Sequence, residues 1–330
     1  MLSRLVKGND DMKAISIENL TKTYRAGWPG SPTITALAGL SLSVQAGEIY
    51  GFLGPNGAGK TTTLKILIGL MRASEGKAVV LGNPAGDVKT HRRIGFLPES
   101  PYFYDYLTAE EFLGFYGRLA GMSHASLSQR ITDMLQTVGL TEARTRQLRK
   151  FSKGMLQRIG LAQALIHDPE LVILDEPMSC LDPIGRKQVR DVILSLRERG
   201  KTVFFSSHIL PDVEMICDRV GIIRKGELLA EGTVDELVHR DHTHSVEVVC
   251  EGVDGESLDG IRDVASRLIQ RGRQCLIVLP NQDCVGKVLA VVTDHRGRLI
   301  SVTPQKRSLE ELFLEAGEGL GNTRASPCGP

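Results

Sequence analysis

The stretch Gly54-Pro55-Asn56-Gly57-Ala58-Gly59-Lys60-Thr61-Thr62 leaves the chain little choice of architecture. It fits the pattern G-x-x-x-x-G-K-S/T, a loop whose glycines, lacking Cβ, let successive backbone N–H groups turn inward around a phosphate. Lys60 places a point charge on the outer phosphates of a nucleotide, and Thr61 offers a hydroxyl to Mg²⁺. The flanks agree. Glu48 to Leu53 reads as a strand entering the loop, and Thr62 to Met71 as a helix leaving it. The helix N-terminus then points at the anion.

The chain of 330 residues has room for two or three domains. Charged residues make up 24% and nearly balance, for a net charge of +1, so no electrostatic footprint for nucleic acid is present. No run of about eighteen apolar residues occurs, which predicts no spanning helix. Met1 to Asp11 lacks the apolar centre of a signal peptide. Six cysteines (Cys180, Cys217, Cys250, Cys275, Cys284, Cys328) form no C-x-x-C pair. Scattered thiols of this kind predict a reducing, cytoplasmic setting rather than a metal site.

The rest of the chain supplies the core around the loop. Ala14 to Leu20 alternates apolar and polar residues, as a strand does. A turn-rich tip carrying Trp28 follows, then a returning strand from Ile34 to Val44. Ala78 to Gly82 and Ile94 to Leu97 read as short buried strands. From Thr108 to about Leu165 the pattern is helical, opened by the capping box Thr108-Ala109-Glu110-Glu111. Leu171 to Leu174 and Thr202 to Ser206 are continuous apolar strands. Between them Pro183 to Arg199 is a helix with Gly200 past its end. Strands alternating with helices predict a parallel α/β sheet with its ligand beyond the strands' carboxyl ends. Beyond Thr243, strands at Ser245–Cys250, Gln274–Leu279 and Arg298–Thr303 with helices between predict a small α+β domain closed by a helix at Ser308–Leu314.

The second key strand narrows the chemistry. Asp175 and Glu176 end a run of four apolar residues and precede Pro177. Asp175 is placed to hold Mg²⁺, and Glu176 is the carboxylate left to take a proton from an attacking water. No N-K-x-D for guanine is found.

With these residues in hand, the stretch from 13 to about 238 resembles the nucleotide-binding subunit of an ABC transporter. Phe151-Ser152-Lys153-Gly154-Met155 stands where that family has its L-S-G-G-Q signature. Leu181-Asp182-Pro183 matches its D-loop, His208 its switch histidine, and Tyr24 the aromatic on which adenine stacks. Glu99 stands in place of the Q-loop glutamine. The departures at Phe151, Lys153 and Met155, and at Glu99, are like those of bacterial exporter ATPases with one nucleotide domain per chain.

The resemblance implies an α/β fold: a P-loop NTPase core with an antiparallel β subdomain and a helical insertion at about 100–165. The ATPase domain would span 13–238 and an accessory α+β domain 243–316, while the residues of 1–12 and the glycine- and proline-bearing 317–330 themselves predict flexible tails. It implies catalysis by Glu176, Lys60 and His208, and ATP contacts from Tyr24, Gly54, Pro55, Asn56, Gly57, Ala58, Gly59, Lys60, Thr61, Thr62 and Glu99. Mg²⁺ would sit among Thr61, Asp175 and Glu99. Ser152, Gly154 and Asp182 would meet the nucleotide of a partner chain, either a second copy or a paralogous ATPase. Export would run through a separate transmembrane permease at the cytoplasmic face of the plasma membrane. The aromatic run Tyr102-Phe103-Tyr104-Asp105-Tyr106 reads equally as local core or as a groove for a permease helix. A soluble ABC-type ATPase acting on a non-membrane partner, or a nucleotide-binding module without turnover, would be the alternatives.

Overall fold

The computed structural model describes residues 13–25, 33–179, 181–239, 245–253 and 259–304. The chain divides between Val234 and Asp235 into two compact units. The first begins with β1 (Lys13–Arg25), β2 (Thr33–Gln45), β3 (Ile49–Leu53) and α1 (Lys60–Leu67). Next come β4 (Glu75–Val80), β5 (Asn83–Pro84), α2 (Val88–His91) and β6 (Ile94–Leu97). Three helices follow, α3 (Ala109–Leu119), α4 (His124–Thr137) and α5 (Lys153–Leu165). The unit ends with β7 (Leu171–Asp175), α6 (Pro183–Glu198), β8 (Thr202–Ser207), α7 (Leu210–Ile216), β9 (Arg219–Arg224) and β10 (Glu227–Thr233). The second unit holds α8 (Val234–His239), which starts at the division, then β11 (Val246–Glu251), α9 (Asp259–Arg262) and β12 (Arg267–Arg271). It closes with β13 (Gln274–Leu279), α10 (Val285–Asp294) and β14 (Arg298–Pro304).

A six-stranded sheet in the order β10-β9-β3-β8-β7-β6 carries the loop. Its pairs from β9 through β6 are parallel and only β10 runs antiparallel. Every residue of β3, β7 and β8 is buried, which is why these strands read as unbroken apolar runs. Tyr50 and Phe52 on β3 pack against Phe204 on β8, with ring centroids 5.6 and 5.5 Å apart. A second, antiparallel sheet, β2-β1-β4-β5, shares that core through Ile15, Leu37, Leu42 and Val80. Burying two sheet faces on one α1 helix fixes where the phosphate loop opens.

Several expectations change in detail. The strand expected at 78–82 is not a buried one. It runs Glu75–Val80 in the antiparallel sheet, and only Val80 is fully buried. It pairs with β1, so one face looks to solvent. Helix α1 stops at Leu67, short of Met71. Gly69 takes φ +74° there, and a Cβ would meet Gly86 Cα at 2.4 Å, so the chain must turn. The strands β9, β10 and β12 were not read from the sequence. Their runs are short or carry Arg and Glu at the ends, which hides the period. The capping box at Thr108 and Glu111 is present. In the second unit the sheet order is β12-β13-β11-β14, with Val288 and Val292 of α10 in its core. The Trp28 tip, the helix expected at 308–314 and both proposed tails lie outside the described residues.

Candidate active site

The cleft is built where β3 gives way to α1. Gly54 donates its N–H to Ser207 O at 3.2 Å, which ties the loop to the end of β8. A Cβ on Gly54 would stand 2.5 Å from Ile223 O, and one on Gly59 2.7 Å from Ala36 O. Gly59 also takes φ +114°, so neither position admits a side chain. Gly59 is the N-cap of α1 and offers no capping side chain, and no acidic residue occupies the first turn. The first amides of the helix therefore keep their donor capacity for an anion.

Those amides face a cleft of about 360 Å³. Tyr24, Pro55, Asn56, Gly57, Gly59, Lys60, Thr61, Thr62, Glu99 and Glu176 all line it, together with Ile34, Thr35 and Ala36. Gly54 and Ala58 form the loop's buried backing instead, with Ala58 O accepting from Gly226 N. The Tyr24 hydroxyl lies 3.3 Å from Thr62 Oγ1 and 3.0 Å from Met71 Sδ, while Lys22 Nζ stands 5.5 Å from the ring centroid.

A buried polar network ties the strand ends together. Lys60 is 6% exposed, and its Nζ donates to Gly54 O at 2.6 Å and Pro55 O at 3.3 Å. The same ammonium stands 3.2 Å from Glu176 Oε1. Glu176 Oε1 nevertheless accepts no hydrogen bond, so this contact is an ion pair without hydrogen-bond alignment. Glu176 Oε2 meets His208 Nδ1 at 2.8 Å. Ser206 Oγ accepts from Glu176 N at 2.9 Å and donates to Asp175 Oδ1 at 2.6 Å. Glu176 itself holds φ +50°, a left-handed backbone uncommon for a side chain other than glycine, Asn or Asp. One network thus holds Asp175, Glu176, Lys60 and His208 around a carboxylate oxygen, Glu176 Oε1, that is ion-paired with Lys60 but accepts no hydrogen bond.

Ser206 was missed in the sequence, as were Thr35 and Ala36. A serine two residues before His208, polar at the end of an apolar strand, was the available signal. Ser152, Gly154 and Asp182 do not line the cleft. Ser152 caps α5, accepting from Met155 N at 3.2 Å, and Asp182 caps α6, accepting from Gly185 N at 2.8 Å. Leu181 packs beside Gly154, 3.4 Å from where a Cβ would be. Of the residues offered to Mg²⁺, Thr61 and Glu99 bring hard oxygens to the cleft lining, as that ion prefers. Asp175 and His208 do not line it; Asp175 is buried, with Oδ1 engaged by Ser206.

Comparison with known proteins settles the family. The family profile described as ABC transporter matches residues 37–179. An uncharacterized ABC transporter ATP-binding protein of Synechocystis sp. is 48% identical over 305 residues, covering 89% of this chain and 82% of that protein. The chain belongs to the ABC transporter ATP-binding proteins. The linearmycin resistance ATP-binding protein LnrL of Bacillus subtilis is 36% identical, over 91% of this chain and 97% of its own length. A dimeric structure of the ATP-binding cassette MJ0796, bound to ADP and Pi after hydrolysis, superposes with a TM-score of 0.62 at 26% identity. It covers 67% of this chain and 98% of the cassette. As a member of this family the chain is an ATP-binding subunit and an ATP-hydrolysing enzyme of the P-loop NTPase fold. No helix among the described residues is long and apolar enough to cross a membrane.

Proposed function

We propose that this ABC ATP-binding subunit powers export through a separate transmembrane permease, working at the cytoplasmic face of the plasma membrane as a dimer around two ATP molecules. The observation that carries the reading is the Glu176 network: a buried carboxylate with one oxygen held by His208 and the other without a hydrogen bond. Entering phosphates would exchange with Glu176 and the Gly54 and Pro55 carbonyls as partners of Lys60. That exchange frees Glu176 Oε1 to accept a proton from water. The water oxygen bonds to the γ-phosphorus as the bond to the β-phosphate oxygen breaks, and the proton goes to Glu176. Lys60 and the amides of α1 stabilise the growing negative charge. His208 holds the carboxylate in place. Mg²⁺, when bound by Thr61 and Asp175 with Glu99 nearby, would neutralise phosphate charge.

Ser152, Gly154 and Asp182 sit at the starts of α5 and α6 and are not among the residues that line the cleft. That placement suits a role toward the nucleotide of a second chain, either a copy or a paralogue. The dimeric cassette among the structural matches supports such an assembly. The linearmycin resistance relative supports export. The ATPase domain would span 13–238 and the accessory domain 243–316. The permease helix would dock on the exposed tyrosines that follow Glu99. Affinity capture of the full chain from detergent-solubilised membranes tests the reading. A multi-helix membrane protein should co-purify and raise ATPase activity. A chain that hydrolyses ATP but retains only non-membrane partners would be a soluble ATPase instead.

A further inference from the structure

Two Arg-Gly-Arg turns meet at one end of the second unit's sheet. Arg271-Gly272-Arg273 closes the β12–β13 hairpin, and Arg296-Gly297-Arg298 leads from α10 into β14. Gly252, just past β11, donates its N–H to Arg273 O at 3.0 Å. Gly297 brings the second turn onto the same spot. A Cβ there would stand 2.5 Å from Val253 Cγ2 and 3.2 Å from Glu251 O, so only glycine permits the approach. Between the turns lies a cleft of about 450 Å³ faced by Arg273, Arg296, Arg298, Gln270 and Glu251.

Three features distinguish this cleft from a solvated charged face. None of the three guanidinium groups is hydrogen-bonded or ion-paired to a side chain among the described residues. The unit around them is acidic, with eleven Asp and Glu against eight Lys and Arg between 235 and 304, so the cationic charge is local. Arg296 also holds φ +57° just past the end of α10, a position where glycine is usual. The cleft volume lies within the range of small-molecule sites.

We propose that this cleft binds a phosphate monoester, either a free metabolite or a lipid headgroup. Three planar guanidinium forks offer more N–H donors than the two oxygens of a carboxylate can take. A phosphate monoester brings three terminal oxygens and close to two charges, and it forms bidentate pairs with arginine. Glu251, which is opposite Arg298 in the β11–β14 pair, and Gln270 also line the cleft; toward hydroxyls of the alcohol part the carboxylate would accept and the amide could donate. Because the arginines are exposed, the attraction is screened by salt. The proposal does not depend on the ATP site.

The test uses the full chain carrying Lys60→Ala, so that the phosphate loop does not compete. Glycerol 3-phosphate is titrated while the amide resonances of Gly252, Gly272 and Gly297 are followed by NMR. Saturating shifts at these glycines are expected, weakened at least tenfold by Arg273→Gln with Arg298→Gln and reduced at high salt. Should that pair unfold the unit, Arg298→Gln alone is read in its place. Co-sedimentation with phosphatidylcholine vesicles, with and without phosphatidic acid, runs in parallel. Binding of glycerol 3-phosphate alone assigns a free ester. Binding only to phosphatidic acid vesicles, lost in the variant, assigns a headgroup. If neither probe binds, or if the variant binds both as well as the parent, the cleft is not a phosphate site.

Discussion

Glu176 combines three properties seldom found on one carboxylate: burial, a left-handed backbone, and one oxygen with no hydrogen bond. Such strain is retained where the surroundings over-determine it, and here Ser206, His208 and Lys60 do so. Glu176→Gln is expected to keep ATP binding and lose about 10²–10⁴ in turnover, the usual range for a general base. Near-wild-type hydrolysis by this variant, measured by phosphate release, would remove Glu176 from the mechanism. A second residue-scale prediction concerns His167, whose Nε2 lies 3.1 Å from Ile94 O. Burial holds its imidazole below the usual histidine range. The unfolded chain therefore binds this proton more readily than the folded one. Stability present above about pH 6.5 is lost as pH falls from there toward the depressed folded value. Wild type should lose more melting temperature between pH 7 and pH 5.5 than His167→Gln, whose amide can still donate to Ile94 O; parallel losses would exclude the effect. Lys60, Asp175 and Glu176 were legible in the sequence because each lies in a local pattern at a strand end. Ser206 was not, because its two bonds reach across strands to residues 30 or more positions away.

At the scale of elements, the segment after Glu99 divides between the two readings open to it. Phe103 turns inward, 5.5 Å from the Phe112 ring, and belongs to the insertion's core. Tyr102 is 85% exposed and Tyr106 61%, and both form edge or tilted contacts with Tyr104 rather than with the core. Composition alone gave no way to separate them, since the segment has no regular period to assign faces. The helices behind it were readable, because α3 and α4 carry both an N-cap signal and a helical apolar stripe. An exposed tyrosine cluster directly after a cleft residue suits a partner helix that feels the nucleotide. If the proposed permease docks there, Tyr102→Ala with Tyr104→Ala should weaken that association at least roughly tenfold, given that aromatic anchors contribute about 2 kcal/mol or more each. ATPase activity of the isolated chain should hardly change, because no group of the Glu176 network is touched. A folded double variant that still binds membranes at full strength would move the docking site elsewhere.

On the scale of the whole molecule, the cleft holds Lys60 and Glu176 but not Ser152 or Gly154. The family resemblance, rather than motif order, assigned Ser152 and Gly154 to the nucleotide of a partner chain, because motif order by itself carries no distances. Ser152 and its N-terminal turn of α5 form a second anion-ready surface with a hydroxyl already engaged as a cap. If that surface completes the cleft of a second chain, damage to the two surfaces should complement. A Lys60→Ala chain and a Ser152→Arg chain are each expected to be inactive as homodimers. Mixed, they assemble heterodimers in which one site carries both lesions and the other carries none. Activity should then return toward the share of intact sites, and it should fall again on dilution as the dimer dissociates. Activity that persists in monomeric protein at high dilution would show that one chain holds a complete site. Where the mixture forms heterodimers by mass measurement yet shows no steady-state activity, single-turnover burst amplitude decides: a burst half that of wild type means that the intact site cuts its ATP but the two sites must turn over together, and no burst means that the composite site has failed.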